Sequence, residues 1–325
     1  MKLAAWFLAL VAFVPTADAA ELPHYRPEQK VSGEIRLWGS PEDSALVALW
    51  DEGFRKFHPQ ARLATRLNGP ESTLASIYTG VADIAFVARE LRQPVDSMAF
   101  QWTKLYAPTT IEVANAGVRA PRLAANLAIF VNPANPIAGL TVAQLDAIFG
   151  AEHKRSPANL RRWGDLGLEG DWRARPIRVL APRVTSIAAL FFRRTVLDNS
   201  FKWNESLQEL DDEEAALAEV ARDPSAIAYA RAGAAHGGVK MLPIAAATGS
   251  AFVALDEKSA ADRSYPLSRV VIVAVDHAPG KPIDPRVHEF LRYVLSAEGQ
   301  ADVARDGAYV PLLPHDVRAQ RKRLD

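Results

Sequence analysis

The chain has 325 residues, no cysteine, and 38 acidic side chains against 38 basic ones. This composition excludes structural disulfides, thiolate metal sites and a lipid-modified cysteine behind a leader, and it leaves no global field favouring nucleic acid or a membrane surface. Any anion that binds is therefore selected by local geometry.

Residues 1–19 read as a secretory signal. Lys2 supplies the charged start, Leu3 to Val14 the apolar stretch, and Ala17-Asp18-Ala19 a small-residue cleavage motif, with the cut after Ala19 or Ala20. The apolar run falls short of the ~20 residues that a spanning helix needs. The expected product is a soluble exported protein, in a Gram-negative periplasm because no lipid anchor would retain it; the alternative is an uncleaved N-terminal anchor. What remains, roughly 305 residues, is enough for about two domains with real cores.

Segment 21–32 is polar, carries two prolines and reads as an exposed leader. Glu34–Trp38 is strand-like, and Leu46, Leu49, Trp50, Phe54 and Phe57 then recur at helical spacing until Pro59. Ala61–Leu67 predicts a second strand, Ser72 the cap of a short helix ended by Gly80, and Asp83–Val87 a third strand. Strand–helix–strand–helix–strand implies a parallel sheet with right-handed crossovers, whose ligands gather at the carboxyl ends of the strands. Asn126–Val131 is another strand, and Thr141 with Gln144 forms a capping box before a helix stopped by Gly150.

Segment 151–173 is charged, Trp-bearing and irregular, and Ile177–Leu180 leads into a turn at Arg183 and a helix with Ile187, Leu190 and Phe191 on one side. Ala226–Ala230 and Arg269–Val275 predict two further buried strands, the latter the most β-branched run of the chain. Asp284-Pro285 opens a helix with Val287, Phe290, Leu291, Val294 and Leu295 on its inner stripe, and the basic tail RAQRKRLD reads as a solvated end.

Three turns carry hydroxyls into a helix start: Gly39-Ser40, Asn68-Gly69 before Ser72, and Arg183-Val184-Thr185-Ser186. Helix starts leave backbone N–H groups unpaired and carry partial positive charge, so each can hold an anion, and Arg183 adds a forked, permanently charged donor. No nucleophile–base pair accompanies them. The seven histidines show no metal spacing, and a GxSxG elbow, a phosphate loop and a dinucleotide fingerprint are missing. The set suits holding an oxyanion rather than reacting with one. The acidic run Asp211 to Glu214 reads as an ordinary solvated helix start, and Trp163 and Trp172 as packing residues rather than a stacking platform.

With these segments placed, the order of motifs resembles the periplasmic phosphate-binding proteins of ABC transporters, which have the type 2 periplasmic-binding fold. The matching stretches are GEIRLWGS, VADIAFVAREL, NLAIFVNPANPIAGLTVAQLDAIFG, PRVTSIAALFFR, DPSAIAYA, YPLSRVVIVAV and FLRYVLSAEGQADVARDGAYVPL, in the family's order from Gly33 to Leu312. The resemblance implies an α/β protein of two lobes, 33–124 plus 268–325 and 125–267. Each lobe would be a mainly parallel sheet flanked by helices, and two crossing strands, Asn126–Val131 and Arg269–Val275, would join them. It also implies a monomer without a cofactor that captures phosphate or a similar oxyanion in the interlobe cleft and delivers it to an ABC permease of the inner membrane.

By the same resemblance the ligand set is Ser40, Asn68, Gly69, Ser72, Arg89, Arg183, Thr185 and Ser186. The residues themselves leave alternatives open. Arg89 faces the cleft or pairs with Glu90 or Asp96; Ser186 is a ligand or a plain helix cap; Glu71 accepts a proton from a protonated oxyanion or stabilises its own helix start. The chain departs from the family's pattern at three points: Ile187 and Ala188 replace a glycine and a threonine, Ala88 replaces a serine, and Pro70 removes a backbone donor. These departures support a second reading, the same fold with another ligand or a role as sensor or envelope partner. A phosphoester hydrolase is the third.

Overall fold

A computed structural model describes residues 21–92, 94–120 and 124–324, and of Glu71 the backbone alone. The signal segment thus lies outside the described residues, as does the Glu71 side chain. The chain runs β1 (Gly33–Trp38), α1 (Ser44–Arg55), β2 (Ala61–Arg66), α2 (Pro70–Tyr78), β3 (Ile84–Phe86), α3 (Val95–Lys104) and β4 (Thr109–Ala116). It crosses into β5 (Leu127–Val131), β6 (Leu140–Thr141), α4 (Val142–Phe149), β7 (Arg178–Pro182), α5 (Ile187–Thr195), β8 (Gln208–Leu210), α6 (Glu213–Arg222), β9 (Ala226–Arg231), β10 (Lys240–Leu242) and β11 (Ile244–Ala245). After α7 (Glu257–Ala261) it returns through β12 (Val270–Val275), α8 (Pro285–Val294), α9 (Ala297–Asp306), β13 (Tyr309–Val310) and α10 (Pro314–Arg321).

Two main sheets result, one in the order β13-β4-β12-β3-β1-β2 and one in the order β10-β5-β9-β7-β8. The expected parallel pairing holds for the βα units: β2, β1 and β3 in the first sheet, and β8, β7 and β9 in the second. The long strands at the crossings enter antiparallel, β12 between β3 and β4, and β5 between β9 and β10. The two crossing runs therefore belong to different sheets and are not neighbours. They meet at their starts instead. Asn126, fully buried, donates through Nδ2 to the Ala116 carbonyl (2.7 Å), and its Oδ1 accepts from the Arg269 amide (2.7 Å). Its own carbonyl accepts from Ala232 (2.8 Å), and Ala116 donates to Arg269 (2.9 Å).

Each sheet is covered by amphipathic helices. On the first, Trp50 and Phe54 of α1 pack on Phe290 of α8, each buried ring stabilising by ~1.5–3 kcal/mol, and the Trp50 indole donates to the Gly299 carbonyl of α9 (3.1 Å). On the second, Phe192 stacks on Tyr229, Phe149 meets both edge-on, and buried Trp163 lies in the same core. The Thr141–Gln144 capping box is formed in both directions, and Asp284 caps α8 at Pro285 as the sequence reads. Among the described residues no helix is long and apolar enough to cross a membrane.

Both ends of the described chain differ from their solvated reading. Tyr25 is buried and donates to Glu289 Oε2 (2.6 Å), with His58 Nε2 on the same hydroxyl (2.7 Å). Glu289 also accepts the amides of Glu28 and Gln29, so a polar segment is pinned by one buried carboxylate. At the other end Val317, Gln320 and Leu324 are buried, and Gln320 Oε1 accepts the Glu112 amide (3.1 Å). Polar composition misled because the partners are distant in sequence.

Two predictions follow from this packing. A Cβ at Gly53 would lie 1.7 Å from the Tyr293 hydroxyl and 2.8 Å from Asp302 Oδ2, which are themselves hydrogen-bonded at 2.6 Å. Gly53→Ala gains ~1 kcal/mol of helix propensity but overpacks by ~3, so denaturant unfolding is expected to show a net loss of about 2 kcal/mol; an unchanged midpoint would contradict the close approach. Asp43 is buried beside the Tyr309 hydroxyl (2.5 Å), and desolvation pushes its carboxyl up to about 6 despite that bond. The folded state then holds a proton that the unfolded state has released, so stability is lost as pH rises from about 4 to 6. Asp43→Asn is expected to stabilise by up to about 3 kcal/mol at pH 7 and by little at pH 4, read from melts across that range.

Candidate functional site

The registers Trp38↔Arg66 and Trp38↔Ala85 bring the carboxyl ends of β1, β2 and β3 side by side. Gly39-Ser40, Asn68-Gly69 and Ala88-Arg89 therefore open from one edge. The first two turns touch, since Gly69 donates to the Gly39 carbonyl (3.1 Å), and a Cβ at Gly39 would press at 3.3 Å on Leu67 and Phe86. Ser40 is buried there, its carbonyl accepting from Asp43 (3.1 Å), while Asn68 is exposed.

Ser72 is not the helix cap. Gly69, at φ 108°, is the N-cap of α2 and Pro70 its first residue; Ser72 Oγ and Thr73 Oγ1 both donate to the Gly69 carbonyl, at 3.2 and 3.0 Å. Those hydroxyl protons close the turn on itself, and the amides of the first helical turn remain as outward donors, less the one that Pro70 lacks.

Arg89 follows Ala88, which is left-handed at φ 60°. Of its open alternatives the structure takes the ion pair: its Nη1 reaches Asp96 Oδ2 at 2.6 Å and the Glu90 carbonyl at 2.8 Å. Asp96 also accepts the amide and guanidinium of Arg92. Burial alone would raise the Asp96 pKa; the hydrogen bonds from Arg92 and Arg89 outweigh it and hold the carboxyl below its usual range. The Arg89 Nε is buried without a partner.

In the second sheet the register Pro182↔Leu210 sets the turn after β7 against the turn after β8. Ser186 is the N-cap of α5, its Oγ accepting the Ala189 amide (3.1 Å) and its own amide donating to the Arg183 carbonyl (2.8 Å). The amides of Ile187 and Ala188 have no carbonyl within the helix to bond. Arg183 is largely exposed and pairs with Asp211 Oδ1 at 3.0 Å, Thr185 is exposed, and the Val184 amide donates to Glu209 Oε2 (2.9 Å). A cavity of about 280 Å³ lies over this helix start, between Arg183, Thr185 and Ser186 on one side and Asp211, Asp212 and Glu213 on the other.

The acidic run read as a solvated helix start thus forms one wall of the cavity. Asp211 is solvated, but it is also the partner of Arg183, and Arg231 is bound to both Glu213 (2.6 Å) and Glu214. Nothing local in sequence signals this, because β8 has three residues and carries no readable period. An exposed pair such as Arg183–Asp211 contributes ~0–1 kcal/mol, so it opens at little cost.

The expected ligand residues form two groups, Ser40, Asn68, Gly69 and Ser72 on the first sheet, with Arg89 beside them in its ion pair with Asp96, and Arg183, Thr185 and Ser186 on the second. The cavity at Arg183 is lined by second-sheet elements alone. The two halves touch at the far end of α5, where Arg194 donates to the Leu91 carbonyl (2.9 Å). Nearby, Arg269 lies 4.8 Å over the Phe191 ring while bonding Glu90.

The PBP superfamily domain matches residues 26–298 of the chain. The phosphate-binding protein PstS of Pseudomonas aeruginosa is 34% identical over 293 residues, 90% of this chain and 87% of that protein. Among solved structures, an ABC-type phosphate transport receptor from Vibrio cholerae superposes with a TM-score of 0.56 at 19% identity, covering 85% of this chain and 99% of that one. PstS from Borrelia burgdorferi gives 0.57 at 14%, covering 87% and 99%. Those two superpositions carry the two-lobed α/β fold, and the match in sequence carries the kinship: the chain belongs to the PBP superfamily and, within it, to the family of the phosphate-binding protein PstS.

Proposed function

We propose that this protein is a solute-binding protein that captures phosphate and hands it, unreacted, to an ABC transporter. The observation that carries the reading is the Arg183–Ser186 turn. A guanidinium, a hydroxyl-bearing turn and open helix amides border one cavity at the end of a parallel strand, in a chain one-third identical to a protein named for phosphate binding. The lobes are 33–124 plus 268–325 and 125–267, hinged where Asn126 binds Ala116 and Arg269. Closure brings Ser40, Asn68, Gly69 and Ser72 towards Arg183, Thr185 and Ser186 and removes water, so that each charge-assisted bond strengthens. Arg89 acts through the loop that it braces. The chain works in the periplasm as a monomer after loss of residues 1–19, and an inner-membrane permease receives the ion.

A second reading is favoured by the wall of Asp211, Asp212 and Glu213, by the amide donor lost at Pro70 and by the hydroxyls lost at Ala88 and Ala188. The same cleft then holds an anion other than phosphate, or phosphate weakly.

Calorimetry of the mature chain with phosphate and with sulfate separates the two. Phosphate is expected to give one saturable site, weakened roughly 10- to 100-fold by Arg183→Ala, the loss of one or two charge-assisted bonds. Asp211→Asn removes the competing carboxylate and is expected to tighten binding by up to about fivefold. Absence of heat with millimolar phosphate, alongside heat with another anion, selects the second reading.

A further inference from the structure

Helix α3 leaves an apolar stripe in solvent. Val95, Met98 and Trp102 on the helix and Leu105 at its end are 63%, 38%, 75% and 89% exposed, at spacings of three, four and three residues that put them on one face. The opposite face, with Phe100 and Ser97, is buried against the first sheet. Leu105 is also left-handed, at φ 66°, in the helix C-cap position where glycine is the usual occupant. A large apolar side chain thus stands fully in water on a backbone that disfavours it. Folding explains neither its exposure nor its conformation, and such violations of local rules concentrate at functional sites.

The size and charge of the stripe limit what covers it. Its exposed apolar surface is on the order of 500 Å², short of the roughly 800 Å² per partner of a stable interface and within the range of transient contacts. A permanent second copy is therefore disfavoured. The bordering charges are already satisfied within the chain: Asp96 by Arg89 and Arg92, and Lys104 by Asp276 at 2.7 Å. A helix that lies on an anionic bilayer needs free Lys or Arg along its polar face, which α3 lacks. What remains is a protein with a complementary apolar groove, met briefly.

We infer that the α3 stripe is a docking surface for the membrane-embedded permease. The inference rests on the delivery role proposed above. Its placement supports that role: Asp96, in the first turn of α3, holds Arg89 at the carboxyl end of β3, beside the Ser40 and Asn68 turns. The docking helix is thereby tied to the loop that lines the ligand edge of the first lobe.

The test replaces Trp102 by a photo-crosslinking phenylalanine analogue in the full-length chain, expressed in its own host, with crosslinked products identified by mass spectrometry. A crosslink to a transmembrane subunit of an ABC transporter is expected. Crosslinks only to a second copy, only to lipid, or to nothing overturn the inference. In parallel, Trp102→Lys and Leu105→Gly are expected to leave phosphate affinity within twofold by calorimetry and to lower cellular phosphate uptake at least tenfold. Leu105→Gly relieves the left-handed strain and is expected to raise the melting temperature by about 2 °C, which separates lost docking from lost folding. Unchanged uptake in both variants also overturns the inference, whereas failure of the unsubstituted chain to bind phosphate defeats the ligand reading and leaves the crosslink result standing.

Discussion

One buried amide holds the two halves of this protein in relation to each other. Asn126 has a donor and an acceptor on a short, rigid side chain, and it spends the donor on the outgoing passage at Ala116 and the acceptor on the return passage at Arg269. Aspartate would lack the donor, glutamine would reach too far, and an alanine would leave a carbonyl and an amide unpaired in a dry place, at a cost of ~1–3 kcal/mol for each group. Among the described residues no strand of the first sheet pairs with one of the second, so rotation of one half on the other would break no ladder between them.

The return passage adds a second restraint away from that point. Arg263 bonds Asn115 and Glu112 of β4, and the Ala261 carbonyl accepts from Asn115, while Tyr265 and Leu267 sit in the core of the second half. Residues 256–268 thus make contacts with both halves. The hinge proposed above would then bend over several residues rather than at one bond.

What the sequence disclosed follows from the range of the interactions. Helix caps such as Thr141–Gln144 and the βα alternation are local and periodic, and both are visible in the chain order. The carboxyl-end clustering of Ser40, Asn68 and Gly69 was legible because parallel pairing of consecutive βα units leaves them nowhere else to go. The cap of α2 was misplaced because a hydroxyl two residues inside a helix looks like a cap until Gly69, at positive φ, and Pro70 claim the start. The burial of Tyr25 depends on Glu289, and the setting of Arg183 on Asp211; pairs so far apart leave no periodic trace.

The acidic wall at Arg183 is the feature hardest to reconcile with the anion site proposed there, and on that proposal distance and solvation resolve it. Asp211 is almost fully solvated, so its field at Arg183 is screened and its hold is weak. Glu209 is held by the Val184 amide, and Glu213 and Glu214 by Arg231, so their charges are largely spent. An anion arriving in the open state meets a guanidinium in water, where a contact at 4 Å is worth ~1 kcal/mol. When the lobes close, the same contact at an effective dielectric near 20 is worth ~4 kcal/mol, and the open amides of α5 gain in proportion. Closure strengthens repulsion by any carboxylate that stays inside just as much. The proposed closure therefore has Asp211 swing outward as the ion takes its place on Arg183, at the low cost of opening an exposed pair.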